Sequence, residues 1–211
     1  MRTLPAIKIC GLREPLNIDE ILLLGPQYIG FIFYPSSARF VGEPDVEYMK
    51  GLTNVKKTAV FVNSSLEEII RIVNRYQFDA IQLHGDESAD FCKDVKAGTG
   101  TELIKAFGID PEFDFLQLES YLPVVDYFLF DTKTSMYGGS GRIFNWDVLK
   151  KYTYDKPYFL SGGIDPDNFL DAYTFEDERI YAVDLNSRFE SSPGVKNVQL
   201  LKQTLKKIDD E

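Results

Sequence analysis

Eight apolar runs of four to eight residues recur along the chain, each closing on glycine or polar residues. They are AIKIC (6–10), YIGFIFY (28–34), KTAVFVN (57–63), AIQLHG (80–85), LIKAFGI (103–109), DYFLFDT (126–132), PYFLSGG (157–163) and YAVDLNS (181–187). Their starts lie roughly 22–31 residues apart, the span of a strand and a returning helix. Between them the apolar period changes to that of a helix. In SLEEIIRIVNRY, Leu66, Ile69, Ile70 and Val73 share one face, with charges opposite. In NIDEILLLG, Asn17 is placed as an N-cap and Gly25 as the stop. In DPDNFLDAY, Asp165 is placed as N-cap with Pro166 at the first helical position. The last helix carries a stripe of Val198, Leu201, Leu205 and Ile208.

Eight strands alternating with eight helical segments predict an α/β fold, a (β/α)8 TIM barrel forming one domain over residues 1–211. An open doubly wound sheet is the alternative. The first strand-to-helix turn, CGLREPLN, lacks the G-x-G-x-x-G fingerprint that would favour it.

Composition removes several function classes. The net charge of −10 argues against nucleic acid or an anionic membrane surface as a partner. No apolar stretch approaches the roughly 20 residues of a membrane span, and the start MRTLPAIKICG lacks the apolar segment of a signal peptide. The only cysteines, Cys10 and Cys92, are too few and too far apart to frame a disulfide scaffold, which predicts a reducing, cytoplasmic setting. A single histidine, His84, speaks against His-rich metal chemistry.

In a barrel of this kind the reacting groups sit where strands end. Those ends carry Cys10, Tyr34 with Arg39 beyond it, Asn63, His84, Asp131, Ser161-Gly162-Gly163, and Asp184 with Asn186 and Ser187. A lone cysteine after an apolar run is ordinarily core, and Cys92 is read that way. Cys10 differs because it belongs to a ring of polar strand ends. Alternation puts Lys8 on the face of Cys10 and Gln82 on that of His84. An inward Lys8 needs a partner, and barrel closure offers Asp184, either as a structural pair or as part of a site. Gly162-Gly163 and the stretch DLNSRFESSPGVKN suit a phosphate, since glycine lets backbone N–H groups approach an anion. The run TSMYGGSGRIFNW (134–146) reads as a flap over the strand ends, with Trp146 starting the next helix.

In this order KICG, GFIFYPSSARFV, QLHGDE, LFDTK…YGGSG, LSGGI and VDLNS…PGVKN resemble the phosphoribosylanthranilate isomerases of tryptophan biosynthesis, over about residues 6–200. The resemblance implies an Amadori rearrangement of N-(5-phosphoribosyl)anthranilate to an aminodeoxyribulose phosphate, with no cofactor and no metal. It implies Cys10 as general base, Asp131 as general acid and Arg39 as receiver of the anthranilate carboxylate. Gly162, Gly163, Asp184, Asn186 and Ser187 fall at the substrate and phosphate turns. The partner is a small phosphorylated molecule, and the oligomeric state is left between monomer and homodimer.

An ordinary thiol is only about 3% ionised at pH 7, so Cys10 needs a cation, for which Lys8 is the candidate. His84 is read as a hydrogen-bonded structural residue without a carboxylate partner. The family commonly has a glycine after the serine following strand 8, where this chain has Arg188-Phe189. That departure makes the assignment of Ser187 less direct than that of Gly162-Gly163. A metal-dependent sugar-phosphate epimerase is a weaker reading, because it wants two histidines. A non-catalytic phosphate-binding barrel would not need Cys10 and Asp131.

Overall fold

The computed structural model describes residues 4–132 and 145–208. Eight parallel strands close on themselves in sequence order: β1 (Ala6–Cys10), β2 (Tyr28–Ile32), β3 (Lys56–Phe61), β4 (Ala80–Leu83), β5 (Glu102–Ile109), β6 (Tyr127–Thr132), β7 (Tyr158–Leu160) and β8 (Ile180–Leu185). Closure pairs β1 with β8 in the register Lys8↔Asp184, so the two candidate partners lie side by side. Strands buried on both faces read as continuous apolar runs, which is why all eight were visible in the sequence.

Alternation divides the core in two. Ile7, Ile9, Phe31, Phe61, Leu83 and Phe130 belong to a large cluster that also includes helix residues Ile18, Ile69 and Val95. Ala80, Ile104, Leu129, Phe159 and Ala182 pack around Tyr28 in a second, smaller cluster. The second set has the opposite strand parity and fills the barrel interior.

The connecting helices are α1 (Pro15–Leu22), α2 (Val46–Gly51), α3 (Leu66–Tyr76), α4 (Ala89–Thr99), α5 (Phe169–Tyr173) and α6 (Val198–Leu205). After β5 and β6 the chain forms 3₁₀ helices instead, Phe115–Tyr121 and Trp146–Lys151. In the first, Phe115, Leu118 and Tyr121 recur every third residue, the period of a 3₁₀ helix rather than an α-helix. The side chains of Asp45, Ser65, Ser88 and Asn197 cap α2, α3, α4 and α6.

Four local expectations fail. Asn17 is no cap: α1 begins at Pro15, and the buried Asn17 amide accepts from Lys196 N at 2.7 Å and donates to Lys196 O at 2.9 Å. Asp165 and Pro166 lie outside α5. The Asp165 carboxylate accepts from the N–H groups of Asp167 and Asn168, closing a turn ahead of the helix. On α3 the buried face is Ile69, Ile72, Val73 and Tyr76, while Ile70 is only half-buried. On α6 only Leu201 of the expected stripe is fully buried. A hairpin absent from the sequence reading follows β8, formed by β9 (Glu190–Ser192) and β10 (Val195–Lys196).

Candidate active site

The C-terminal ends of the strands surround a cleft, the place where barrels of this kind carry their sites. The eight residues to which the resemblance gives a place line it, as do Tyr34, Gln82, His84 and Ser161, whereas Asn63 does not.

Its floor starts at Lys8, which is 0% exposed. Lys8 Nζ donates to Asp184 Oδ2 at 2.8 Å and to Gln82 Oε1 at 2.8 Å. Asp184 Oδ1 is buried and has no partner among the described residues, leaving one carboxylate oxygen for a ligand. Burial and the nearby Asp131 push the Asp184 carboxyl up, against the pull of Lys8. The ion pair keeps Lys8 charged despite its burial.

One layer above Lys8 sits Cys10, 3% exposed. Its strand neighbour is Gly30, where a Cβ would come within 2.6 Å of the Cys10 sulfur. A glycine inside a strand often marks such a close approach, and this signal in YIGFIFY was available in the sequence. The expectation that Lys8 activates the thiol holds only in part. Burial pushes the Cys10 thiol up, and Lys8 and Lys196 only partly oppose it.

Across the cleft, Gln82 Nε2 lies 2.8 Å from His84 Nδ1, and His84 Nε2 lies 3.4 Å from Asp131 Oδ2. His84 is hydrogen-bonded as expected, but it faces the cleft and does have a carboxylate neighbour. Asp131 Oδ1 accepts from Thr132 N at 2.7 Å. Gly162 packs against this strand end, since a Cβ there would meet Thr132 N at 2.5 Å.

Arg39 is engaged by a residue the sequence reading missed. Its Nε and Nη2 grip Glu190 at 2.8–3.0 Å, a side-on fork. Glu190 also accepts from Lys196 Nζ at 2.8 Å, and Lys196 reaches Asn186 Oδ1 at 2.8 Å. Burial alone would raise the Glu190 carboxyl, but Arg39 and Lys196 hold it below the usual range. Burial lowers Lys196 although Glu190 faces it. Gly11, at φ +81°, lets this group close up: a Cβ would lie 2.7 Å from Asn186 Oδ1 and 2.9 Å from Arg39 Cδ. Glu190 and Lys196 read as ordinary loop charges in RFESSPGVKN, and only the serine-proline-glycine turn hinted at a hairpin.

At the far end Gly162 and Gly163 have φ of +89° and +70°. Their N–H groups have no acceptor among the described residues. Successive N–H groups left free in a turn can form a concave nest of donors. Asn186 and Ser187 face it from β8. Of the two residues of the departure, Phe189 is turned into the core and Arg188 is exposed. The α5 helix is five residues long and preceded by the Asp165 turn, so the donors here are the loop amides rather than a helix end. Residues 133–144, which hold most of the expected flap, lie outside the described residues. No cluster of three His, Cys, Asp or Glu side chains that could hold a metal occurs among the described residues.

Comparison with known proteins gives a concordant result. The profile of the N-(5'-phosphoribosyl)anthranilate isomerase family matches residues 7–207. The N-(5'-phosphoribosyl)anthranilate isomerase of Parabacteroides distasonis is 42% identical over 205 residues, covering 96% of this chain and 92% of that protein. The crystal structure of phosphoribosyl anthranilate isomerase from Thermotoga maritima superposes with a TM-score of 0.84 at 31% identity, covering 99% and 100% of the two chains. A phosphoribosyl anthranilate isomerase in complex with reduced 1-(o-carboxyphenylamino)-1-deoxyribulose 5-phosphate superposes with a TM-score of 0.80 at 27% identity, covering 99% and 100%.

Proposed function

The chain belongs to the N-(5'-phosphoribosyl)anthranilate isomerase family, and from that premise we propose how its cleft carries the reaction. The activity is the isomerisation of N-(5'-phosphoribosyl)anthranilate in tryptophan biosynthesis. The assignment of steps to residues is our reading. Asp131 protonates the ribose ring oxygen, the bond from that oxygen to carbon 1 breaks, and the nitrogen lone pair forms the Schiff base. The Cys10 thiolate then removes the proton on carbon 2. The released pair makes the carbon 1–carbon 2 double bond of an enolamine, which tautomerises to the ketone.

The observation that carries this reading is that Cys10 and Asp131 face one cleft from β1 and β6, with β7 and β8 between them. An acid and a base can thus reach the ring oxygen and carbon 2, on either side of carbon 1. Arg39 keeps Nη1 without a partner among the described residues, so its end-on edge can take the anthranilate carboxylate while Glu190 holds its side. The nest at Gly162-Gly163, with Asn186 and Ser187, takes the phosphate. Asp184 Oδ1 takes a sugar hydroxyl, which supplies its missing partner. No helix among the described residues is long and apolar enough to cross a membrane. A small-molecule biosynthetic step of this kind fits a single barrel domain over residues 1–211 working in the cytoplasm.

Substrate fluorescence decay, followed with wild type and with Cys10→Ala, tests the reading. Turnover by wild type and its loss in the folded variant are expected. An equally active Cys10→Ala enzyme would refute the base assignment.

A further inference from the structure

His84 is the chain's single histidine, and its surroundings leave it one tautomer. Lys8 sets the polarity, because an ammonium has donors and no acceptor. Lys8 Nζ lies 2.8 Å from Gln82 Oε1, so the amide oxygen of Gln82 is the atom facing Lys8. The amide nitrogen therefore turns the other way, 2.8 Å from His84 Nδ1. An amide NH₂ only donates, so Nδ1 accepts and carries no proton. In the neutral ring the proton then sits on Nε2. That is the atom 3.4 Å from Asp131 Oδ2. One line of contacts, Asp184–Lys8–Gln82–His84–Asp131, thus runs from β8 through β1 and the end of β4 to β6.

We propose that Lys8 and Gln82 are positioning residues that hold His84 as its Nε2–H tautomer, with that N–H aimed at the Asp131 carboxylate. The inference rests on Asp131 being the acid of the proposed function. As Asp131 gives its proton to the ring oxygen, negative charge develops on its carboxylate. A donor fixed beside that carboxylate stabilises the charge without reorganising. At 3.4 Å the contact is longer than a good hydrogen bond, and it can tighten as the charge appears. With the proton on Nδ1 instead, the ring would present a lone pair to Asp131 and oppose its ionisation. The buried charge of Lys8 therefore serves the acid through two side chains, and it also lies beside Cys10 on its own strand.

A single histidine makes the test direct, since long-range ¹H–¹⁵N correlation spectra of the untagged chain contain one ring. Wild type at neutral pH is expected to show a protonated Nε2 and a bare Nδ1. Gln82→Met keeps the side-chain length and removes the amide. It should give a mixture of tautomers and lower kcat about tenfold, with KM within about twofold. A residue that merely packs would change thermal stability and leave tautomer and kcat alone. The proposal is overturned by a wild-type ring protonated on Nδ1 or on both nitrogens. It is also overturned if Gln82→Met leaves tautomer or kcat unchanged, or raises KM while kcat holds. If Gln82→Met does not fold, the wild-type tautomer decides alone. A fully active Asp131→Asn enzyme would refute the acid assignment instead, whatever the tautomer.

Discussion

The proposed base, Cys10, would act from a position that favours its neutral thiol. Burial raises its titration, with only Lys8 and Lys196 working in the other direction. The thiolate is therefore scarce in the free enzyme, and its population grows about tenfold per pH unit below the thiol pKa. On this account the alkylation rate of Cys10 in the free enzyme, followed by peptide mass spectrometry, rises with pH to beyond the ordinary thiol value of about 8.5. A profile already flat at neutral pH would contradict it. Cys10→Ser should keep the circular dichroism spectrum and lower kcat by roughly two to four orders of magnitude, the range for a lost general base. Arg39→Ala should raise KM about ten- to a hundredfold, the worth of charge-assisted hydrogen bonds at about 1.5–3 kcal/mol. Arg39→Lys should rescue it only in part, because an ammonium cannot serve Glu190 and a substrate carboxylate with one planar fork. An unchanged KM in Arg39→Ala would remove this residue from the site. Cys10 and Asp131 were legible in the sequence because each closes an apolar strand. Gln82 was visible only as the inward neighbour of His84, and nothing in the sequence gave its amide a direction.

The element that escaped the sequence reading is the β9–β10 hairpin. It is only three and two residues long, and its inward charges, Glu190 and Lys196, look like surface residues until the fold brings Arg39 and Asn186 to meet them. Asn17 was misread for the same reason. Its amide satisfies the backbone of Lys196 across the chain rather than the start of its own helix, a tertiary bond that local capping rules cannot anticipate. The pair has a consequence in acid. The folded-state pKa of Glu190 is depressed, so its stabilising contribution is present above the unfolded value of about 4.3 and is lost as pH falls through the lower folded value. Urea midpoints measured from pH 6 down to pH 3 should fall, and less steeply in Glu190→Gln, which has lost that contribution already at pH 6. Parallel curves for the two proteins would show that Glu190 adds nothing to the acid dependence.

At the scale of the whole molecule, the closed barrel was legible because every strand is buried on both faces and so reads as an unbroken apolar run. The site was legible as a ring of strand ends for the same geometric reason. A chain of net charge −10 repels a phosphorylated, carboxylated substrate at long range. On the proposed reading, binding rests on local donors that line the cleft, the amides at Gly162-Gly163 and the guanidinium of Arg39. Inorganic phosphate should compete with substrate, and Gly163→Asp should abolish both binding events in a folded barrel. Phosphate inhibition that is not competitive would displace the nest from that role. In the proposed mechanism Cys10 and Asp131 divide base and acid chemistry between them in one cleft. Single-turnover fluorescence decay of phosphoribosylanthranilate, with Cys10→Ala, Asp131→Asn and the double variant, addresses it most directly. Each single variant should lose most of the rate and the double variant should be little worse than either, since groups acting as a unit are not additive. Near-wild-type decay in either single variant would contradict it.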